Sequence, residues 1–151
     1  MKQALLAIAV AVAALPTPAR AASCVASSAG VNFGEYDPFA AAALASVGRI
    51  DLHCDGSVAA EVSLSSGQGT YAERQLVAGA NALVYNLFTS SQFVSVWGDG
   101  AGSTAKVTVA GSDVALPVYG LIAPRQNVPA VPRQLGHNLT SRIEAGPSCP
   151  A

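Results

Sequence analysis

Short stretches of this chain alternate apolar and polar residues with a period of two, and turn-forming residues separate them. From Val47 to Cys54, residues Val47, Arg49, Asp51 and His53 fall on one side; Gly48, Ile50, Leu52 and Cys54, largely apolar, fall on the other. Ala60 to Leu64 repeats the pattern, with Val62 and Leu64 opposite Glu61 and Ser63. Such alternation predicts half-buried strands. Leu83 to Phe88 is apolar or aromatic on both sides, apart from Asn86, and suits a strand covered on both faces. Phe93–Trp97, Lys106–Val109, Val114–Ile122 and, less regularly, Leu139–Ala145 are further candidates. Between them lie Asp55-Gly56, Ser65-Ser66-Gly67-Gln68-Gly69, Gly98-Asp99-Gly100-Ala101-Gly102 and Ala110-Gly111-Ser112-Asp113. Short strands separated by Gly-rich turns predict an all-β sandwich or barrel. Lys106 to Leu116, with Gly111 at its middle, reads as a hairpin. Phe39–Ala45 is the one helix-like tract, but it is short and flanked by turn residues, so it predicts a loop or a single turn. The prolines between Pro124 and Pro132 predict an irregular surface connection or an edge passage.

The N-terminus has a different pattern. Lys2 precedes a continuous apolar run from Ala4 to Leu15, and Ala19-Arg20-Ala21 places small residues where a signal peptidase cuts. Residues 1–21 are therefore expected to be a secretory signal peptide. The run is shorter than the roughly 20 residues a membrane helix needs, and no later segment approaches that length, so the protein is not expected to be integral to a membrane. Acylation of Cys24 is an alternative, disfavoured by Ala21-Ala22-Ser23, which lacks the leucine expected three positions before a lipid-bearing cysteine. Residues 22–145 read as one β-domain, and residues 146–151 as a tail or the start of a linker.

Removing the leader takes Lys2 and Arg20 with it. Six of the eight Lys/Arg then face nine Asp/Glu, a formal charge of −3. The basic residues are scattered, which argues against nucleic acid as a partner. Three cysteines in an exported chain imply an oxidising compartment, one bridge and one residue left over. Cys24 and Cys54 are the natural pair, and closing their loop contributes about 3.5 kcal/mol in the chain-entropy model. Cys149 is the remaining thiol.

Catalytic chemistry finds little support. His53 lies on the polar side of an alternating strand, and His137 in a Gly-His-Asn turn. Asp99 stands alone in its glycine-rich turn, whereas a calcium loop needs several alternating carboxylates. No zinc-protease, Cys-x-x-Cys, nucleophile-elbow or phosphate-loop motif is present. Asn138-Leu139-Thr140 matches a glycosylation triplet and is assigned no role. Phe33, Tyr36, Tyr85, Phe88, Phe93, Trp97 and Tyr119 are spread over separate segments, which suits core packing better than a stacking platform. Neither enzymatic activity, nor a cofactor, nor a metal is expected.

The order Cys24 … Phe33-Gly34-Glu35-Tyr36-Asp37-Pro38 … Ile50-Asp51-Leu52-His53-Cys54 … Leu64-Ser65-Ser66-Gly67 … Arg74 … Leu83-Val84-Tyr85-Asn86-Leu87 … Trp97-Gly98-Asp99-Gly100 … Pro117-Val118-Tyr119-Gly120 resembles the spore coat protein U domain, the family that includes subunits of Csu-type (archaic) chaperone–usher pili. The resemblance runs from Cys24 to about Ala145. It implies an immunoglobulin-like β-sandwich lacking one strand. A periplasmic pilus chaperone, and then a neighbouring pilus subunit delivered through an usher, would supply that strand by β-augmentation. Export through the inner membrane to the periplasm, and then to the cell surface, follows. Val31, Phe33, Leu121 and Ile143 are the residues expected to line the acceptor groove. Family subunits donate a strand that precedes their first cysteine, and here only Ala22 and Ser23 would remain. Filling a groove takes five to ten residues at about 3.3 Å each, so this chain is expected to accept a strand without donating one, the position of an adhesive tip. Gly146 to Ala151 reads either as a linker toward a second such domain or as a ragged tail. The rival class is a free periplasmic or secreted ligand-binding sandwich that does not polymerise.

Overall fold

The computed structural model describes residues 22–128 and a short strand at Gly146–Pro147. Seven strands form one antiparallel sheet: β1 (Cys24–Gly30), β2 (Leu44–Val62), β3 (Gln68–Gly69), β4 (Arg74–Ala78), β5 (Asn81–Phe88), β6 (Val107–Ile122) and β7 (Gly146–Pro147). Their order is β1-β2-β6-β5-β4-β3, with β7 on β2. The described residues contain no helix, and the sheet curls over its own apolar face, an all-β fold of the sandwich type.

The curl comes from the two long strands. On β2 the even-numbered side chains from Ile50 to Val62 face the core throughout. Opposite them, Cys54–Ser57 stand against Ser112 alone, so the register with β6 shifts there. On β6 the inward set changes from Val107 and Val109 to Val114, Leu116, Val118 and Ile122, and the change falls at Gly111, whose φ of 135° suits only glycine. A bulge of this kind bends a strand without ending it.

This corrects two expectations. Lys106–Leu116 is not a hairpin: the chain passes through Gly111 as one strand, because β2 follows the same bend and the ladder resumes at Val58 and Gly111. Asp55-Gly56 is not a turn for the same reason, and Val47–Cys54 and Ala60–Val62 belong to one strand. Phe93–Trp97 forms isolated bridges, Val96 to Phe88 and Trp97 to Ala105, in place of a strand. The Phe39 region is a single turn, closed by Ala40 N–H donating to the Asp37 carbonyl at 3.2 Å. Leu139–Ala145 lies outside the described residues.

The core gathers Ile50, Leu52, Val62, Leu64, Leu87 and Trp97 between the folded halves of the sheet. After β1 the chain crosses the inner face of β2 and β6. Val31 and Phe33 occupy the space above Gly48 and Gly120 there. A Cβ on Gly120 would lie 2.5 Å from Phe33 Cζ, and one on Gly48 would lie 2.7 Å from Val31 Cγ2. Phe33 meets the Tyr85 ring edge-on at 6.0 Å. Tyr36 then donates to the Ala123 carbonyl and accepts from Gln126 N–H. The Gln126 side chain bonds both the N–H and the C=O of Val84, as a neighbouring strand would.

Candidate strand-docking edge

β1 has a partner on one side only. It pairs with β2 from Cys24↔Cys54 to Ser28↔Ile50, and no described residue pairs with its other edge. Its inward residues are small: Cys24, Ala26, Ser28 and Gly30, all half-buried. Along one row across the sheet, Ala26, Leu52 and Val114 stand side by side; along the next, Ser28, Ile50 and Leu116. Leu52 and Ile50 at the centre are buried, while the residues at both ends of each row are half-exposed. The apolar layer is therefore thin beside β1, and the backbone there has N–H and C=O groups to offer.

A free edge invites another chain unless something blunts it. β1 reads Cys-Val-Ala-Ser-Ser-Ala-Gly, with neither proline nor charge. Among the described residues β6 has a second open stretch, from Val107 to Val118 on the side away from β2, because β5 pairs only with Tyr119–Ile122. That edge carries Pro117, which has no N–H, just before the β5 ladder begins. β3, at the far end of the sheet, is only 2 residues long. Of these edges, β1 is the one without a guard.

What holds β1 is the Cys24–Cys54 disulfide, across the first rung of its ladder. Ser23 extends that rung: its carbonyl accepts from Asp55 N–H at 3.0 Å, and its own N–H donates to Asp55 Oδ1 at 2.7 Å. The outer face nearby is polar. Arg49 pairs with Asp51, and His53 with Asp113, all solvent-exposed or half-exposed. The hydrogen bond from His53 holds the Asp113 carboxyl below its usual range. His53 thus sits on the solvent side of β2. No group of three or more His, Cys, Asp or Glu among the described residues is placed to hold a metal.

Of the residues expected to line a groove, Val31 and Phe33 come together over Gly120, half-buried against the core. Leu121 is separate from them: Gly120 and Ile122 face inward, so Leu121 points to the opposite side, beside Ala45 and Asn86. Ile143, like His137, Asn138 and Cys149, lies outside the described residues.

The expectations gave no role to Arg74, which is fully buried. Its guanidinium donates to the Trp97 carbonyl at 2.6 Å, to Asn86 Oδ1 at 2.6 Å, and twice to the Ser65 carbonyl, at 3.0 and 3.1 Å. The Tyr71 ring lies over it at 5.2 Å. Asn86 passes the connection to the carbonyls of Tyr71 and Ala72, and Trp97 Nε1 donates to the Val62 carbonyl. One cation without a carboxylate partner thereby ties the loops after β2, before β4 and after β5. Burial lowers the affinity of the guanidinium for its proton. Next to this hub, Asp99 is held below the usual carboxylate range, mainly by the N–H of Ala101. One signal was present in the sequence: Asn86 is the polar residue in the otherwise apolar and aromatic Leu83–Phe88 run.

A family model described as Spore Coat Protein U domain matches residues 8–132. No curated protein matches the chain.

Proposed function

The chain belongs to the Spore Coat Protein U domain family, which is associated with chaperone–usher pilus-type subunits, and from that membership we propose that it is an exported structural and adhesive subunit of a surface pilus, assembled by donor-strand complementation. The observation that carries the proposal is the unguarded outer edge of β1, with small inward side chains beside a half-exposed apolar rim. An extended foreign segment adding there gains main-chain hydrogen bonds, and its alternate large side chains fill the space that Ala26, Ser28 and Gly30 leave. Val31 and Phe33 form the floor of that space on this reading, while Leu121 faces away from it. The partners are a periplasmic pilus chaperone, then a neighbouring subunit handed over at an usher. The route runs through the periplasm to the cell surface.

With a leader removed after Ala21, Ala22 and Ser23 alone precede Cys24, too short a segment to fill a groove in another subunit. The subunit accordingly accepts a strand and donates none, which places it at the fibre tip. Residues 22–145 act as the pilin-like domain on this reading, and Gly146–Pro147, expected as tail or linker, pair with its strand β2.

The test is co-expression of the chain, with and without the pilus chaperone encoded beside it, followed by purification and amide exchange. A strand acceptor is degraded or aggregated alone, co-purifies with the chaperone, and shows slowed exchange at Val25–Ala29 in the complex. A soluble monomer that ignores the chaperone would overturn the proposal.

A further inference from the structure

The second half of β2 presents an edge distinct from that of β1. From Val58 to Val62 one side of the strand pairs with β6. The other side faces away, and its inward residues Ala60 and Val62 belong to the core. β1 approaches this edge but stops short of it: its last contacts are Ser23 with Asp55 and Ala22 with Gly56. The position is taken by β7, which pairs Gly146 with Glu61 and Pro147 with Ala60.

Left bare, this edge would match itself. Val58-Ala59-Ala60-Glu61-Val62 paired antiparallel about Ala60 sets Val58 opposite Val62 of a second copy and Glu61 opposite Ala59. No like charges would meet, and the contact would be isologous, the kind that closes a twofold dimer. β7 replaces this edge by one carrying Pro147, with Pro150 following in the sequence. A proline has no N–H for the next strand, which is how natural sheets blunt their edges.

We propose that the Gly146–Pro147 segment is a built-in cap that closes the Val58–Val62 edge of β2 against strand addition by a second copy of this chain. With Pro117 guarding β6, strand addition is confined to β1. Only that last consequence rests on the acceptor reading; the cap does not. Two full-length variants test it, both in a Cys149→Ser background. Glu61→Cys with Gly146→Cys places thiols on directly paired positions, and Gly146→Glu places a like charge opposite Glu61. Amide exchange at Ala59 and Glu61, whose N–H groups point to the β7 side, and sedimentation over a concentration series are the readouts.

The cap predicts that the thiol pair oxidises spontaneously, that the locked chain self-associates no more than the Cys149→Ser parent and shows slowed exchange at Val58–Val62, and that reduction reverses the slowing. It also predicts that Gly146→Glu speeds exchange there roughly two- to fivefold and promotes dimers. Failure of the thiols to join, or equal exchange and self-association in all forms, would overturn it. Protection of Val25–Ala29 by a chaperone is read at different amides, so failure of the acceptor reading would be seen separately.

Discussion

Replacing Arg74 by methionine removes the buried hub while keeping a side chain of similar length. Three acceptors lose their donor: the Ser65 carbonyl, the Trp97 carbonyl and Asn86 Oδ1. Their fates differ. Ser65 is exposed and can be rehydrated, and Asn86 Oδ1 keeps the Leu87 N–H at 2.9 Å. The Trp97 carbonyl, on a residue 1% exposed, is left without a partner. One orphaned buried carbonyl costs about 1–3 kcal/mol. Against this, methionine does not bury a cation that lacks a counter-ion. The net expectation is a loss of about 2 kcal/mol, close to 8 °C in melting temperature for a domain of this size. Arg74→Ala adds a cavity, and the loss rises to about 4 kcal/mol or more. Arg74→Lys keeps the charge but cannot reach three acceptors as a fork, and takes a more strongly hydrated group into the same site; it falls with methionine, not with wild type. The assay is a thermal scan of Trp97 fluorescence, the single tryptophan of the chain, in the partner-bound protein. A methionine variant as stable as wild type, or a lysine variant that melts with wild type, would refute the claim that forked hydrogen bonding holds this site together.

Changing Cys24 and Cys54 together to serine removes the tie on β1 and is expected to cost about 3.5 kcal/mol, read as a lower denaturation midpoint with early exchange at Val25–Ala29. Gly120→Ala drives a methyl against Phe33 and Val31; a loss of about 1–3 kcal/mol is expected, and Phe33→Leu in the same chain should recover part of it in a double-mutant cycle. Asp99 and Asp113 both have folded pKa values below the reference of 3.8. Their contribution is thus present above that value and lost as pH falls through the lower folded values, so stability measured from pH 6 to pH 2 should decline at the acid end. Asp113→Asn combined with Asp99→Asn should flatten that decline, and an unchanged acid limb would count against it.

The fold was legible in the sequence wherever a strand keeps one partner and one face. The alternation of Ile50, Leu52 and Cys54 gave the inward side of β2 correctly, and the residue order around Cys24, Arg74 and Trp97 matched the family that the domain model identifies. Length was not legible. Asp55-Gly56 and Gly111 have turn chemistry, yet both lie in a bulge where the opposing strand bends in step, and that depends on pairing between residues far apart in sequence. The same limit hid the side taken by Leu121, which follows from the β5 ladder at Tyr85↔Ile122. Arg74 escaped notice because two of its three acceptors are main-chain carbonyls, of Ser65 and Trp97 in separate loops, and carbonyls leave no mark in a residue pattern.

These features divide the molecule into unequal halves. Around β4, β5 and the Trp97 loop, one buried cation and the ring of Tyr71 cross-link segments that also share the core, and that half is complete without help. Around β1 the covalent tie among the described residues is the disulfide, and the inward side chains are too small to seal the layer beside them. Local stability should follow the same division, since segments with few buried apolar contacts open first. Amide exchange of the partner-free chain, caught early after release, should therefore open Val25–Ala29 before Leu83–Leu87. A partner that adds a strand to β1 would then stabilise the weak half selectively, and its binding energy would appear as protection there and nowhere else. Uniform protection across both halves on binding would mean that the rigid half is not independent, and that the Arg74 hub and the β1 edge form a single cooperative unit.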